Sequence, residues 1–78
     1  MNPNKRNKKL LKALGKNLRE LRESRGITQV ELSAKLNTEQ SHISKIESGF
    51  SEPSISLLEL MAKEFGVKLN ILFDFEYD

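Results

Sequence analysis

Several kinds of residue and segment are missing from this sequence, and each absence excludes a class of protein. Without cysteine there are no disulfides, no thiolate chemistry and no zinc finger. No apolar run is long enough to cross a membrane, and the first residues form no apolar signal segment. A single histidine and the lack of a glycine-rich phosphate loop argue against catalysis. We therefore expect a cytoplasmic protein that is not an enzyme, with no catalytic residues, no metal, no cofactor and no membrane partner.

The charges of the chain are unevenly distributed. The 78 residues suffice for one domain with a small core, and their net charge is only +2. Residues 1–35 contain ten Lys or Arg and three Glu, whereas residues 36–78 contain three Lys and eight Asp or Glu. The basic half favours a polyanion and the acidic half is repelled by one. Such polarity suits a DNA-binding domain.

Helical periodicity covers most of the chain. Leucines spaced by three and four predict a first helix from Lys8 to Arg25. Ahead of it, Met1 to Asn7 has no apolar period and is interpreted as a basic arm. The arm is either a solvated tail or a set of phosphate contacts made by Lys5, Arg6, Lys8 and Lys9.

The second half predicts two further helices and an alternating tail. Ser54 is expected to cap a helix closed by Gly66, and a short helix is expected from about Lys68 to Phe73. The core residues predicted for the longer helix are Ile55, Leu58, Met61, Ala62 and Phe65. Aromatic and acidic residues then alternate with the period of two that is typical of a β-strand. Because a lone exposed strand tends to pair, we expect this tail to contact its own domain or a second copy.

The stretch from Gln29 to Ser48 contains two short helical patterns. Leu32 and Leu36 form an apolar stripe in the first, and Ile43 and Ile46 form one in the second. Isolated helices below about 12 to 15 residues are marginal in water, so the two must brace one another.

Residues within and after the first pattern fit a steep crossing of the two helices. Ser33 is small enough for the contact point, and Asn37 tolerates the positive φ of a tight turn. Thr38 is expected to cap the second helix. The outward positions of that helix are all polar: Gln40, Ser41, His42, Ser44 and Lys45.

These features resemble the helix-turn-helix of the phage Cro/CI-type repressors and the related xenobiotic-response-element (XRE) regulators. The family pattern is present here as Thr28-Gln29, Leu32-Ser33, Asn37 and Ile43-Ser44-Lys45-Ile46-Glu47-Ser48-Gly49. The likeness extends from about Leu18 to Leu72. Ser33 stands where alanine is usual and Asn37 where glycine is usual, and both satisfy the same steric demand.

The resemblance implies an all-α, five-helix, lambda-repressor-like DNA-binding domain with its helix-turn-helix at helices 2 and 3. Residues 1–17 then form the basic arm and the start of helix 1, residues 18–72 the domain with its motif at 29–48, and residues 73–78 an acidic, aromatic tail. The implied function is sequence-specific transcription regulation, most simply repression by a homodimer on a pseudo-palindromic operator. Such a regulator would act in the cytoplasm, at the nucleoid, and its partner would be double-stranded DNA.

A helix of this type enters the major groove with its N-terminus first. Gln40 can bind an adenine edge through both amide atoms, while Lys45 can donate to guanine or reach a phosphate. The serines are short, and Ser44 and Ser48 suit phosphates better than bases. The predicted DNA-binding residues are Gln29, Thr38, Gln40, Ser41, His42, Ser44, Lys45 and Ser48.

Each of three polar residues can be interpreted in two ways. The resemblance gives Gln29 a phosphate contact, whereas by itself it could be a plain surface glutamine. His42 either contacts DNA or faces solvent. Glu39 either stabilises the helix start through the helix dipole or accepts a hydrogen bond from cytosine, and we favour the first.

The resemblance also implies two structural contacts. Arg22 and Glu47 are expected to form a partly buried ion pair between the first helix and the recognition helix. Related regulators commonly dimerise through the fifth helix, which favours a second copy as the partner of the tail. The predicted dimer residues are Leu69, Leu72, Phe73, Phe75 and Tyr77.

Other functions are compatible with the same fold. Small domains of this type also serve as antitoxins and as controllers of restriction-modification operons. The acidic tail from Asp74 to Asp78 could dock a basic protein such as a toxin. A protein-interaction module that binds no DNA is a further alternative, against which the basic first half argues.

Overall fold

The computed structural model describes residues 7–77, which form an all-α domain. The elements are α1 (Lys8–Ser24), α2 (Gln29–Lys35), α3 (Gln40–Glu47), α4 (Ile55–Phe65) and a 3₁₀ helix (Leu69–Phe73). The all-α prediction is confirmed, and the expected fifth helix is this short 3₁₀ segment. Residues 1–6 of the predicted arm, with Lys5 and Arg6, lie outside the described residues.

Local hydrogen bonds set both ends of α1. The Asn7 side chain accepts from the backbone N–H of Leu10 at 3.0 Å and so begins the helix. At the other end Gly26 has a φ of 69°. Its N–H donates to Glu23 O at 2.9 Å, and the N–H of Ile27 donates to Arg22 O at 3.2 Å. This glycine-based C-terminal cap turns the chain so that Ile27 packs against the core.

Thr28 and Glu31 form a capping box at the start of α2. Thr28 Oγ1 accepts from the N–H of Glu31 at 3.1 Å, and the Glu31 carboxylate accepts from the N–H of Thr28 at 2.9 Å. The hydrogen bond from the Thr28 N–H, followed by the interaction of the carboxylate with the Thr28 side chain, lowers the pKa of the Glu31 carboxyl group. The short α2 therefore begins at a fixed point.

The turn between α2 and α3 is built as the residue types predict. Asn37 has a φ of 53°, the one positive φ of a non-glycine residue among those described. Ser33 is buried and donates to Val30 O at 2.8 Å, so its hydroxyl group needs no solvent. The N–H of Thr38 donates to Ser33 O at 2.9 Å and closes the turn.

The helices share a single hydrophobic core. At Gly15, the backbone of α1 comes into contact with the backbone of α3. A Cβ atom at Gly15 would meet Ile46 O and would lie 2.6 Å from Glu47 O. Only a glycine permits this backbone contact. The core residues are Leu14, Leu18, Leu32, Ile43, Ile46, Leu58, Met61, Ala62, Phe65 and Leu72.

The C-terminal segment lies against α1. Asn17 Nδ2 donates to Ile71 O at 3.1 Å and to Leu72 O at 2.8 Å. After the 3₁₀ helix, Phe75 packs on the core of its own domain, and residues 7–77 contain no β-strand. The strand expected from the alternation of Phe73, Phe75 and Tyr77 is therefore wrong, because the tail packs as an irregular segment.

One predicted core residue of α4 is also wrong. Ile55, the first residue of the helix, is 70% exposed, whereas Leu58, Met61, Ala62 and Phe65 are buried as expected. The helix starts at the surface and enters the core only from its second turn onward.

Candidate nucleic-acid interface

The outer side of α3 is polar and accessible. Ile43, Ile46 and Glu47 face inward and are buried. The exposed side chains of the helix and of its C-cap residue Ser48 are Gln40, Ser41, Ser44, Lys45 and Ser48, and His42 is half-buried. The helix thus presents hydrogen-bonding groups on one side while its isoleucines hold it to the core.

A bidentate ion pair ties α3 to α1. Arg22 Nε donates to Glu47 Oε2 at 2.6 Å, and Arg22 Nη2 donates to Glu47 Oε1 at 3.0 Å. The two side chains are only 8% and 3% exposed. The hydrogen bond to Glu47 raises the pKa of Arg22 above its ordinary value, so the guanidinium stays charged. Arg22 Nη1 also donates to Ile27 O at 2.7 Å, which links the pair to the α1–α2 connection.

The same carboxylate holds Gln29, a contact that sequence reasoning missed. Gln29 Nε2 donates to Glu47 Oε1 at 3.0 Å, and Gln29 Oε1 lies 3.5 Å from its donor Gln40 Nε2. A chain of hydrogen bonds therefore runs from the buried ion pair to the first residue of α3. Gln40 retains its Oε1 and a second amide hydrogen, the pair of groups that binds an adenine edge.

Thr38 does not cap α3, contrary to the expectation. The N-cap residue is Glu39, whose side chain makes no capping hydrogen bond. Thr38 Oγ1 instead lies 3.1 Å from His42 Nδ1, one helical turn further on. Because the helix begins one residue later than the sequence suggests, the hydroxyl group reaches the imidazole ring and not a free N–H. This bond orients His42 and leaves its Nε2 as the second ring nitrogen for a ligand.

The remaining predicted contacts on α3 differ in their surroundings. Ser48 Oγ donates to Lys45 O at 3.0 Å, so this hydroxyl is turned toward its own helix. Ser41, Ser44 and Lys45 are exposed on the same outer side.

The five residues predicted for a dimer interface are not equivalent. Leu72 is 0% exposed and belongs to the core, so its assignment to the interface is wrong. Leu69, Phe73 and Tyr77 are 40%, 43% and 48% exposed. The ring of Phe75 lies between those of Phe73 and Tyr77, at centroid distances of 6.5 and 6.3 Å, and also packs on the core.

The part of the chain that the structure describes contains no group of three or more His, Cys, Asp or Glu side chains that could hold a metal ion. Across residues 7–77, no helix combines the length and apolar character that a membrane crossing requires.

Two short helices crossing at a tight turn, the second buried on one side and polar on the other, define a helix-turn-helix domain. Comparison with known proteins identifies its family. The helix-turn-helix family model HTH_3 matches residues 18–72. The chain belongs to this family of XRE-type helix-turn-helix proteins.

A related sequence is the immunity repressor protein of Bacillus phage phi105. It is 32% identical over 59 residues, which are 76% of this chain and 41% of the repressor. The chain thus spans less than half of that relative.

Two solved structures are similar to this chain over most of its length. One is the restriction-modification controller protein C.AhdI from Aeromonas hydrophila, with a TM-score of 0.76 and 28% identity over 82% of this chain and 96% of that one. The other is SinR, a master regulator for biofilm formation, in complex with DNA. Its TM-score is 0.73, with 29% identity over 78% of this chain and 98% of SinR.

Proposed function

We propose that the chain is a transcriptional repressor that binds a pseudo-palindromic operator in double-stranded DNA as a homodimer. The observation that carries this proposal is the polar outer side of α3, held to α1 by the Arg22–Glu47 pair. A helix fixed in this way can enter the major groove without repacking. The relative named as an immunity repressor and the similar structure of SinR with DNA support it. Such a regulator acts in the cytoplasm, on the nucleoid.

The side chains of α3 would divide the work of recognition. Gln40, steadied by Gln29, reads adenine, and Lys45 donates to guanine or to a phosphate. Ser41 and His42 add single hydrogen bonds at the groove. Gln29 and Ser44 contact the backbone and set the register of the helix. Ser48 joins them once its hydroxyl group turns from Lys45 O to a phosphate. The role of Thr38 in this scheme is to orient His42.

The dimer would form at the C-terminal end of the domain. Leu69, Phe73 and Tyr77 offer partly exposed apolar side chains on one short segment, and Phe75 supports them from behind. One module supplies few base contacts, so pairing two of them gains both affinity and specificity. In a symmetric dimer the half-sites lie about 10 base pairs apart.

Selection of bound sequences from a random oligonucleotide pool tests this proposal. We expect two related half-sites with an adenine that disappears from the motif when Gln40→Ala is used. Sedimentation on the selected duplex should show two chains per site. A pool that yields no enriched sequence, or a monomer both alone and on DNA at micromolar concentration, would contradict the proposal.

A second candidate is the controller of a restriction-modification operon. The similarity to C.AhdI, which this chain covers nearly end to end, favours this role over an antitoxin with a toxin partner. Both candidates use the same DNA-binding surface. The genes next to this one would distinguish them.

A further inference from the structure

A cleft lies beside the C-terminal end of α3, and of the residues around it only Lys8 and Ser48 have been given a DNA contact so far. Its volume is about 440 Å³. The residues that line it come from the start of α1 and the end of α3: Lys8, Leu11, Lys12, Ser48, Gly49 and Phe50. Phe50 directly follows Gly49 and has no place in the family pattern.

Gly49 brings the two sides of the cleft together. Its φ is 85°, and an added Cβ would lie 2.8 Å from Lys12 Cγ and 3.0 Å from Lys12 Cα. The chain therefore turns sharply at the end of α3 while touching the backbone of α1. The N–H of Phe50 donates to Lys45 O at 2.8 Å, which fixes the residue beyond the turn. Gly49 thus places Phe50 at the same cleft as Lys8 and Lys12.

The chemistry of the cleft is apolar and basic at once. Phe50 is 79% exposed, and Leu11 forms a buried apolar wall. Two lysines and no carboxylate complete the lining. Ser48 belongs both to this cleft and to the outer side of α3, so the cleft continues the candidate interface. An apolar face for a sugar and two cations for phosphates match a nucleic-acid backbone.

We propose that this cleft binds one sugar–phosphate strand of the DNA whose groove α3 occupies. Lys8 and Lys12 contact successive phosphates, and the ring of Phe50 packs against a deoxyribose. This proposal rests on the proposed function, because it requires duplex DNA at α3. It adds a non-specific clamp at the end of the recognition helix opposite to Gln40.

Salt dependence of binding separates the charged part of the cleft from its apolar part. Lys8→Gln combined with Lys12→Gln should make the slope of log K against log salt shallower by about 1.8, because each phosphate contact contributes about 0.9. The probe is a duplex of random sequence, titrated between about 50 and 200 mM salt. Lys63→Gln with Lys68→Gln removes the same charge from exposed positions outside the cleft and should leave the slope unchanged.

The ring should affect affinity without affecting the slope. Phe50→Ala should weaken binding about tenfold at every salt concentration, since it removes apolar area and no charge. Phe50→Leu keeps most of that area and should retain most of the affinity. Thermal unfolding of each variant verifies that the exposed ring is not needed for folding.

The outcomes separate this proposal from the proposed function. If the double lysine variant keeps the wild-type slope, or Phe50→Ala keeps the wild-type affinity while the wild-type chain binds duplex DNA, the cleft does not hold the backbone. If the wild-type chain binds no duplex at low salt, the proposed function itself is wrong. A slope equally reduced in the Lys63 and Lys68 control would mean that total charge, and not the cleft, is responsible.

Discussion

The helix-turn-helix and the C-terminal segment both pack on α1, but by different means. The recognition helix α3 is fixed by a buried bidentate ion pair and by backbone contact at Gly15. The C-terminal segment is held by two neutral hydrogen bonds from Asn17 and by the packing of Leu72 and Phe75. The outward groups also differ, since α3 presents amides, hydroxyls and an ammonium group and the segment presents aliphatic and aromatic groups.

This difference suggests a division of labour within the chain. A helix that reads DNA must be rigid, because its hydrogen-bonding groups need fixed positions relative to the bases. The contact proposed between the C-terminal segments of two copies would tolerate adjustment more easily. Each of the following changes tests one side of the comparison.

The largest effect is expected at the ion pair. Arg22→Ala leaves the buried Glu47 without its cation and should lower the free energy of unfolding by about 3 to 5 kcal/mol. Thermal or urea unfolding measures this change. Arg19→Ala is a matched control, because its pair with Glu23 is exposed, and it should cost at most about 1 kcal/mol. An unchanged melting temperature for Arg22→Ala would mean that the pair does not stabilise the fold.

A smaller effect is expected where the C-terminal segment is held. Asn17→Ala removes the donor for the carbonyl groups of Ile71 and Leu72, and should cost about 1 to 3 kcal/mol. Because the 3₁₀ helix would no longer be held in place, sedimentation should show weaker dimerisation. Asn70→Ala, at an exposed position on the same helix, should change neither property. If Asn17→Ala dimerises as strongly as the wild type, the C-terminal segment is not part of the dimer interface.

The smallest effect concerns the start of α2 and depends on pH. Hydrogen bonds from Thr28 hold the pKa of Glu31 below its ordinary value of 4.5. The charged form is thus favoured in the folded state, and its contribution to stability is present above pH 4.5 and is lost as the pH falls through the lower, folded-state pKa.

Glu31→Ala should accordingly be less stable than the wild type at neutral pH, with a difference that shrinks in acid. Unfolding at a series of pH values measures the change. Glu52→Ala, at an exposed position between α3 and α4, serves as the control. A difference for Glu31→Ala that is constant across the acid range would exclude a role for the charge.

The comparison also explains which features were predictable from sequence. The turn at Asn37, the capping box and the inward isoleucines follow from local residue types and short spacings, and the structure has all of them. The Arg22–Glu47 contact joins residues far apart in sequence, and only the family resemblance suggested it.

The failures have physical causes as well. The prediction that Thr38 caps α3 is wrong because α3 starts one residue later than expected. Hydrophobic periodicity cannot locate a helix end to within one residue. The alternation of the tail indicated a strand, but packing of Phe75 on the core overrides that pattern. The bonds of Gln29 and the cleft at Phe50 depend on how separate helices meet, which no local pattern encodes.

The most direct test of the central claim is a map of backbone amide chemical shifts during titration with a selected duplex. We expect the largest changes at Gln40, Ser41 and Lys45 on α3, with little further change in the segment from Leu69 to Tyr77. Changes centred on that C-terminal segment, with the amides of α3 unaffected, would contradict the assignment of α3 as the surface that reads DNA.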